Sequence, residues 1–87
     1  MPYSIAILPA ALRDLATLPT ADKKRLSRKI DQLAQDPRPP GTKRLRGKRE
    51  YLRLRSGNYR VIYTVEDDRQ MVLVVKVGHR REIYGRL

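Results

Sequence analysis

Arginine and tyrosine dominate the residues of this chain that could do chemistry. Between Glu50 and Tyr84 lie Arg53, Arg55, Arg60, Arg80 and Arg81, with Lys76 among them and tyrosines at 51, 59, 63 and 84. A guanidinium is permanently charged and presents a fork of donors that fits phosphate oxygens. A tyrosine hydroxyl can move a proton, and surrounding cations favour its phenolate. Other catalytic sets are poorly supplied. There is one histidine, His79, so a pair of imidazoles acting as acid and base is excluded. Cysteine is absent, so no thiolate metal site or disulfide framework is expected. Asp67 and Asp68 sit on a turn and the other carboxylates are scattered, so neither a metal nor a cofactor is expected.

RNA suits such a set. Its own 2′-hydroxyl can attack the adjacent phosphate. The protein must then accept one proton, stabilise a phosphorane-like transition state, and stabilise or protonate the leaving 5′-oxygen. Charge supports a polyanionic partner. The chain has 87 residues, 20 of them Lys or Arg and 9 Asp or Glu, for a formal net charge of +11. Nucleic acid is the first choice and an acidic protein the second. A membrane is disfavoured, since no apolar run approaches the roughly 20 residues of a span. No basic amphipathic helix with bulky apolar anchors is present either. The N-terminus lacks the pattern of a secretion signal, so the cytoplasm is the expected compartment.

The elements that must position these residues follow from periodicity. Residues 1–87 are expected to form one domain. Tyr3–Leu8 reads as a short strand with Tyr3, Ile5 and Ile7 on one side. Pro9 opens a helix whose apolar face is Leu8, Ala11, Leu12, Leu15 and Leu18. A second helix, with Thr20 as N-cap and Asp22 in its first turn, carries Leu26, Ile30 and Leu33 as its buried stripe. Its Lys23, Lys24, Arg25, Arg28 and Lys29 are expected to be a solvated face or a secondary docking surface. Asp36-Pro37 ends it. Lys43-Arg-Leu-Arg-Gly-Lys-Arg49 is the densest basic run, expected as a surface loop or a phosphate clamp.

Three strands complete the chain, with turns at Ser56–Asn58 and Glu66–Gln70. Leu52 and Leu54 alternate with Tyr51, Arg53 and Arg55. Tyr59, Val61, Tyr63 and Val65 alternate with Arg60, Ile62 and Thr64. Leu73, Val75 and Val77 alternate with Val72, Val74 and Lys76. Directly paired residues share a face. Leu54 opposite Tyr59, Leu52 opposite Val61, Tyr63 opposite Leu73 and Val61 opposite Val75 satisfy the core. That pairing sets Arg53 beside Arg60 and Lys76 across from it, with Arg80 following on the same side. A slip of one residue would bury the arginines. The expected architecture is α+β, in the order β-α-α-β-β-β. Its antiparallel sheet is covered by a helical hairpin on one face and open as a basic groove on the other.

Leu45-Arg-Gly, Tyr51-Leu-Arg-Leu-Arg-Ser-Gly-Asn-Tyr-Arg-Val-Ile-Tyr63 and Val77-Gly-His-Arg-Arg-Glu-Ile-Tyr84 together resemble the RelE/ParE superfamily of toxins. With the helical hairpin the resemblance covers nearly the whole chain. It implies the fold just derived. RelE-type members cut mRNA in the ribosomal A site and are silenced by an antitoxin. ParE-type members poison DNA gyrase instead.

The resemblance to the RelE pattern implies roles for particular residues. Arg53 and Arg60 would hold the scissile phosphate and its developing charge. Arg80 would stabilise or protonate the leaving oxygen. Tyr84 would orient or deprotonate the 2′-hydroxyl, or stack on a base. Tyr51 stands where that pattern has a second basic residue, and Lys48 or Arg49 is the expected substitute. Lys43, Arg44, Arg46, Lys48, Arg49, Arg55, Lys76 and Arg81 are the expected RNA contacts, and His79 is expected only to end a strand. The implied activity is a ribosome-dependent, metal-free mRNA endonuclease, the toxin of a type II toxin–antitoxin pair. Its implied partners are an acidic antitoxin, the ribosome with mRNA, and operator DNA bound as a toxin–antitoxin assembly. A gyrase inhibitor of ParE type and a plain RNA-binding protein are the alternatives.

Overall fold

Alternating isoleucines carry the chain into β1 (Ser4–Ile7), and Pro9, at the first helical position, turns it into α1 (Pro9–Ala16). Those elements belong to a computed structural model that describes residues 2–45 and 50–79. There follow α2 (Thr20–Gln32), β2 (Lys43–Leu45), β3 (Tyr51–Ser56), β4 (Tyr59–Glu66) and β5 (Met71–His79). The strands make one five-stranded sheet in the order β1-β5-β4-β3-β2, with β1 parallel to β5 and the other pairs antiparallel. Tyr3, Ile5 and Ile7 pack against the core, as their alternation predicts.

Both helices bury their stripes against one face of this sheet. Ala11 and Leu15 of α1, with Leu26 and Ile30 of α2 and Leu33 just after it, meet Leu52, Leu54, Val61, Tyr63, Val72, Val74 and Val77. Burying an aliphatic side chain of this size contributes about 1.5–3 kcal/mol relative to exposure. Leu8 and Leu12 do not join them and are 39% and 54% exposed. Leu8 is still committed to the sheet, its N–H donating to the Val74 carbonyl, so α1 begins beyond it and buries only a narrow stripe. At α2, Pro19 and not Thr20 takes the N-cap position, and Thr20 is the first helical residue.

Besides the parallel β1–β5 pairing, which makes the sheet mixed where an antiparallel one is expected, it differs from the expected sheet at three places. First, Lys43–Leu45 is a strand rather than a loop, pairing with β3 at Lys43↔Arg53, Arg44↔Leu52 and Leu45↔Tyr51. Its charged side chains give it little apolar signal, but charge is how an edge strand avoids pairing with other chains. Second, the β3–β4 ladder is two residues further on than expected, with Leu52↔Tyr63, Leu54↔Val61 and Ser56↔Tyr59. A two-residue turn at Gly57-Asn58 closes it, and Gly57 takes the positive φ, 60°, that a side chain would resist. Third, the β4–β5 ladder shifts register between Ile62 and Tyr63, where Val75 is the extra residue. Val72 and Val74 therefore enter the core in place of Leu73 and Val75, while Val77 stays in it.

The end of the sheet at the β4–β5 turn is tied down by side chains. The Tyr63 hydroxyl donates to the Pro37 carbonyl at 2.7 Å. The Tyr3 hydroxyl donates to Asp67 Oδ1 at 2.7 Å, and the Arg38 fork donates to both Asp67 oxygens at 3.2 and 3.1 Å. These contacts join β1, the loop after α2 and the β4–β5 turn, and they lie at the end of β4 remote from Arg60.

Candidate nucleic-acid site on the open sheet face

The ladder decides what shares the face without helices. Arg53 is paired with Ile62, and Ile62 with Lys76. Arg55 is paired directly with Arg60, and Lys43 directly with Arg53. Tyr51 alternates in step with Arg53 and Arg55. The open face therefore gathers Lys43, Arg53, Arg55, Arg60 and Lys76, with Tyr51 at its side. The expected neighbours are changed in detail: Arg60 meets Arg55 rather than Arg53, and Gly78 rather than Lys76. The face assignment is unchanged, because a two-residue shift preserves parity.

Two of these ladder positions set cation against cation, which is destabilising in an antiparallel pair. Stability does not select such a placement; a bound polyanion would offset it. Beneath the cations lies Ile62, with 0% exposure but outside the cluster shared with the helices. It gives the face an apolar floor, over which long basic stems can lie with their charged ends outward. Alternation with Val61 and Tyr63 already puts Ile62 on this face; its complete burial there is what the alternation does not give.

Arg60 is held most closely. Expected in the open, it is instead buried, 7% exposed, because its Nη1 folds back to donate to the carbonyls of Gly57 at 3.4 Å and Tyr59 at 3.3 Å. Its buried Nε finds no hydrogen-bond partner among the described residues. The β3–β4 turn thus restrains the guanidinium while leaving donor capacity over. Arg53 and Lys76 are half-buried on the same face, and Arg55 and Lys43 are exposed.

Arg44 has the opposite parity, paired with Leu52, and its guanidinium lies 3.8 Å from Glu50. His79 pairs with Tyr59, whose ring it meets edge-on with centroids 5.9 Å apart. Tyr59 packs against the core, so His79 shares the helix-side parity rather than that of Arg60. Arg46, Lys48, Arg49, Arg80, Arg81 and Tyr84 lie outside the described residues. Among the described residues, no three His, Asp or Glu side chains come together as a metal site would require. No described helix is long and apolar enough to cross a membrane.

Among the described residues, the groups with shifted ionisation sit away from this face. The hydrogen bond from Arg38, then that from Tyr3, holds Asp67 below the usual carboxylate range. The same contacts, led by the bond to Asp67, raise both Tyr3 and Arg38. Burial raises the Tyr63 hydroxyl, which stays protonated as the donor to Pro37.

Comparison with known proteins places this chain and its fold among relatives. Residues 5–84 match the family described as the ParE toxin of the type II toxin–antitoxin system parDE. The putative toxin RelE1 of Methanocaldococcus jannaschii is 32% identical over 87 residues, covering 97% of each chain. The mRNA interferase toxin RelE of Escherichia coli is 32% identical over 89 residues, covering 98% of this chain and 93% of its own. Among solved structures, the archaeal RelE–RelB complex of Pyrococcus horikoshii OT3 matches with a TM-score of 0.82 at 29% identity over all of both chains. The intact E. coli RelBE toxin–antitoxin complex matches with a TM-score of 0.72 at 30% identity, over 88% of this chain and 95% of that one.

Proposed function

This chain belongs to the RelE/ParE family of type II toxin–antitoxin toxins, and from that premise we propose that it is a metal-free endoribonuclease that cuts mRNA on the ribosome. Residues 1–87 act as one toxin domain in the cytoplasm, where translation takes place. The observation that carries the reading is the pair of like-charge ladder contacts, Arg55↔Arg60 and Lys43↔Arg53, around the buried Ile62. Such a face is built to hold phosphate, and relatives of similar length are named mRNA interferases.

The chemistry needs only the chain's own residues. Arg60 is restrained by the Gly57 and Tyr59 carbonyls, so little reorganisation is required as charge develops on the phosphate oxygens. Arg53, two positions from Arg55, holds the same phosphate, and Lys76 and Lys43 hold its neighbours along the strand. The attacking group is the 2′-hydroxyl of the RNA. Tyr84 orients or deprotonates it, and Arg80 stabilises or protonates the departing 5′-oxygen. An acidic antitoxin covers the cations and silences the toxin. The P. horikoshii relative was solved as a RelE–RelB complex and the E. coli one as an intact RelBE toxin–antitoxin complex, which supports an antitoxin partner.

Primer extension on mRNA after expression tests the activity. Arg60→Ala and Arg80→Ala are each expected to reduce cleavage about 10²–10³-fold. Full-rate cleavage by both variants would overturn the site. A second reading, a non-enzymatic inhibitor of DNA gyrase, is favoured by the family description itself, which is that of ParE. Wild-type protein that leaves mRNA intact but stalls gyrase on DNA would establish that reading in place of the first.

A further inference from the structure

A second cationic surface meets the sheet face at the β3–β4 turn. On α2 the residues Leu26 and Ile30 face the core, with Leu33 beyond them. Arg25, Arg28 and Lys29 follow one another at i, i+3 and i+4 along one flank. That flank adjoins the end of the sheet. Lys29 Nζ donates to the Arg55 carbonyl at 3.1 Å. Arg25 Nη1 lies 3.7 Å from the point where Gly57 would carry a Cβ. From the other side of the same turn, Arg60 Nη1 donates to the Gly57 carbonyl. Gly57 thus accepts a hydrogen bond from Arg60 and has the Arg25 guanidinium close by, so the two basic surfaces adjoin at this end of the molecule.

We propose that the α2 flank of Arg25, Arg28 and Lys29 binds the phosphate backbone of folded, double-helical RNA while the sheet face holds the strand to be cut; this extends the endoribonuclease reading and rests on it for the role of the sheet face. Like charges at i, i+4, as in Arg25–Lys29 and Lys24–Arg28, disfavour a helix. The nearby Asp22, 3.9 Å from Arg25, offsets only part of that charge. A protein partner would need an apolar centre to dock on. Among the described residues the large exposed apolar ones, Leu8 and Leu12, lie at α1 and not on this flank. A single strand would be gripped by stacking its bases on aromatic rings, and α2 has no aromatic residue. A double-helical backbone asks only for cations at phosphate spacing, independent of sequence.

The test uses the full chain and a short RNA stem-loop, with binding followed by fluorescence anisotropy across a salt series. Arg25→Gln/Arg28→Gln is expected to lower the slope of log K against log salt by about 1.4–1.8, and affinity about tenfold or more at 0.1 M salt. The single variant Arg28→Gln should give half the slope change, which keeps the result readable if the double variant loses its fold. In cleavage of ribosome-bound mRNA, KM should rise with kcat retained. An unchanged stem-loop slope overturns the proposal, as does a loss confined to binding of an acidic protein partner. A wild-type protein that binds the stem-loop but cuts no mRNA refutes the endoribonuclease reading alone, since the slope change still decides the role of α2.

Discussion

Arg55 and Arg60 stand directly opposite each other across the β3–β4 ladder, cation to cation. Removing one of them should therefore stabilise the fold while weakening its hold on phosphate. Arg55 is the better probe, being exposed and free of the turn contacts that Arg60 makes. Arg55→Gln is expected to raise stability by about 0.2–1 kcal/mol. Thermal unfolding should show this as a rise of roughly 1–8 °C, more at low salt than at high. RNA binding by the same variant should weaken. A variant less stable than wild type at low salt would mean that the pair is not repulsive.

Asp67 should make stability depend on pH in a definite direction. Its carboxyl lies below the ordinary value of 3.8 because Arg38 and Tyr3 donate to its charged form. A group with a lowered folded value contributes stability above its unfolded value and loses it as pH falls through the folded one. The wild-type protein should thus lose stability below about pH 4, and Asp67→Asn should lose less over that range. Tyr3 gives the mirror image. Its hydroxyl is raised above 10.0 chiefly by the bond to Asp67, so its contribution is present at neutral pH and fades in strong alkali. Melting curves from pH 3 to 7 check the first limb; parallel curves for both proteins would show that Asp67 contributes nothing.

Tyr63 separates the ring from its hydroxyl. The ring is wholly buried in the core, and the hydroxyl bonds the Pro37 carbonyl at 2.7 Å. Tyr63→Phe keeps the packing and removes only the bond, at an expected cost of about 0.5–1.5 kcal/mol. Urea unfolding should show a lower midpoint with an unchanged slope. An unchanged midpoint would mean that water serves Pro37 equally well.

How much of this was legible before the structure follows from what each signal depends on. The two helices and the basic face depend on strong contrasts. Leu26, Ile30 and Leu33 stand among charged residues, and a one-residue slip in β3 or β4 would turn an arginine into the apolar core under the helices. The pairing partner of Arg60 depends instead on the turn. Gly57-Asn58 closes a two-residue loop, a local preference that moves the register by two without altering any face. The strand Lys43–Leu45 has almost no hydrophobic pattern, because an edge beside Arg53 is held by backbone bonds. The meeting of Arg25 and Arg60 at Gly57 joins residues far apart in the chain, which periodicity cannot bring together.

Val74 and Val75 offer the sharpest remaining contrast, since Val72-Leu-Val-Val75 is apolar throughout and alternation there is mute. A regular ladder with Val77 in the core would also bury Val75 and Leu73. The extra residue at Val75 changes parity, so Val74 is fully buried opposite Tyr63 while Lys76 stays on the open face opposite Ile62. Val74→Ala should then cost about 2–3 kcal/mol, from two lost methyl groups and the cavity they leave. That corresponds to a fall in melting temperature of roughly 10 °C or more. Val75→Ala, at a half-buried position outside the ladder, should cost under about 1 kcal/mol. Equal costs, or the reverse order, would show an unbulged strand. Lys76 would still lie open, but Val75 and Leu73 would replace Val74 and Val72 beneath the helices.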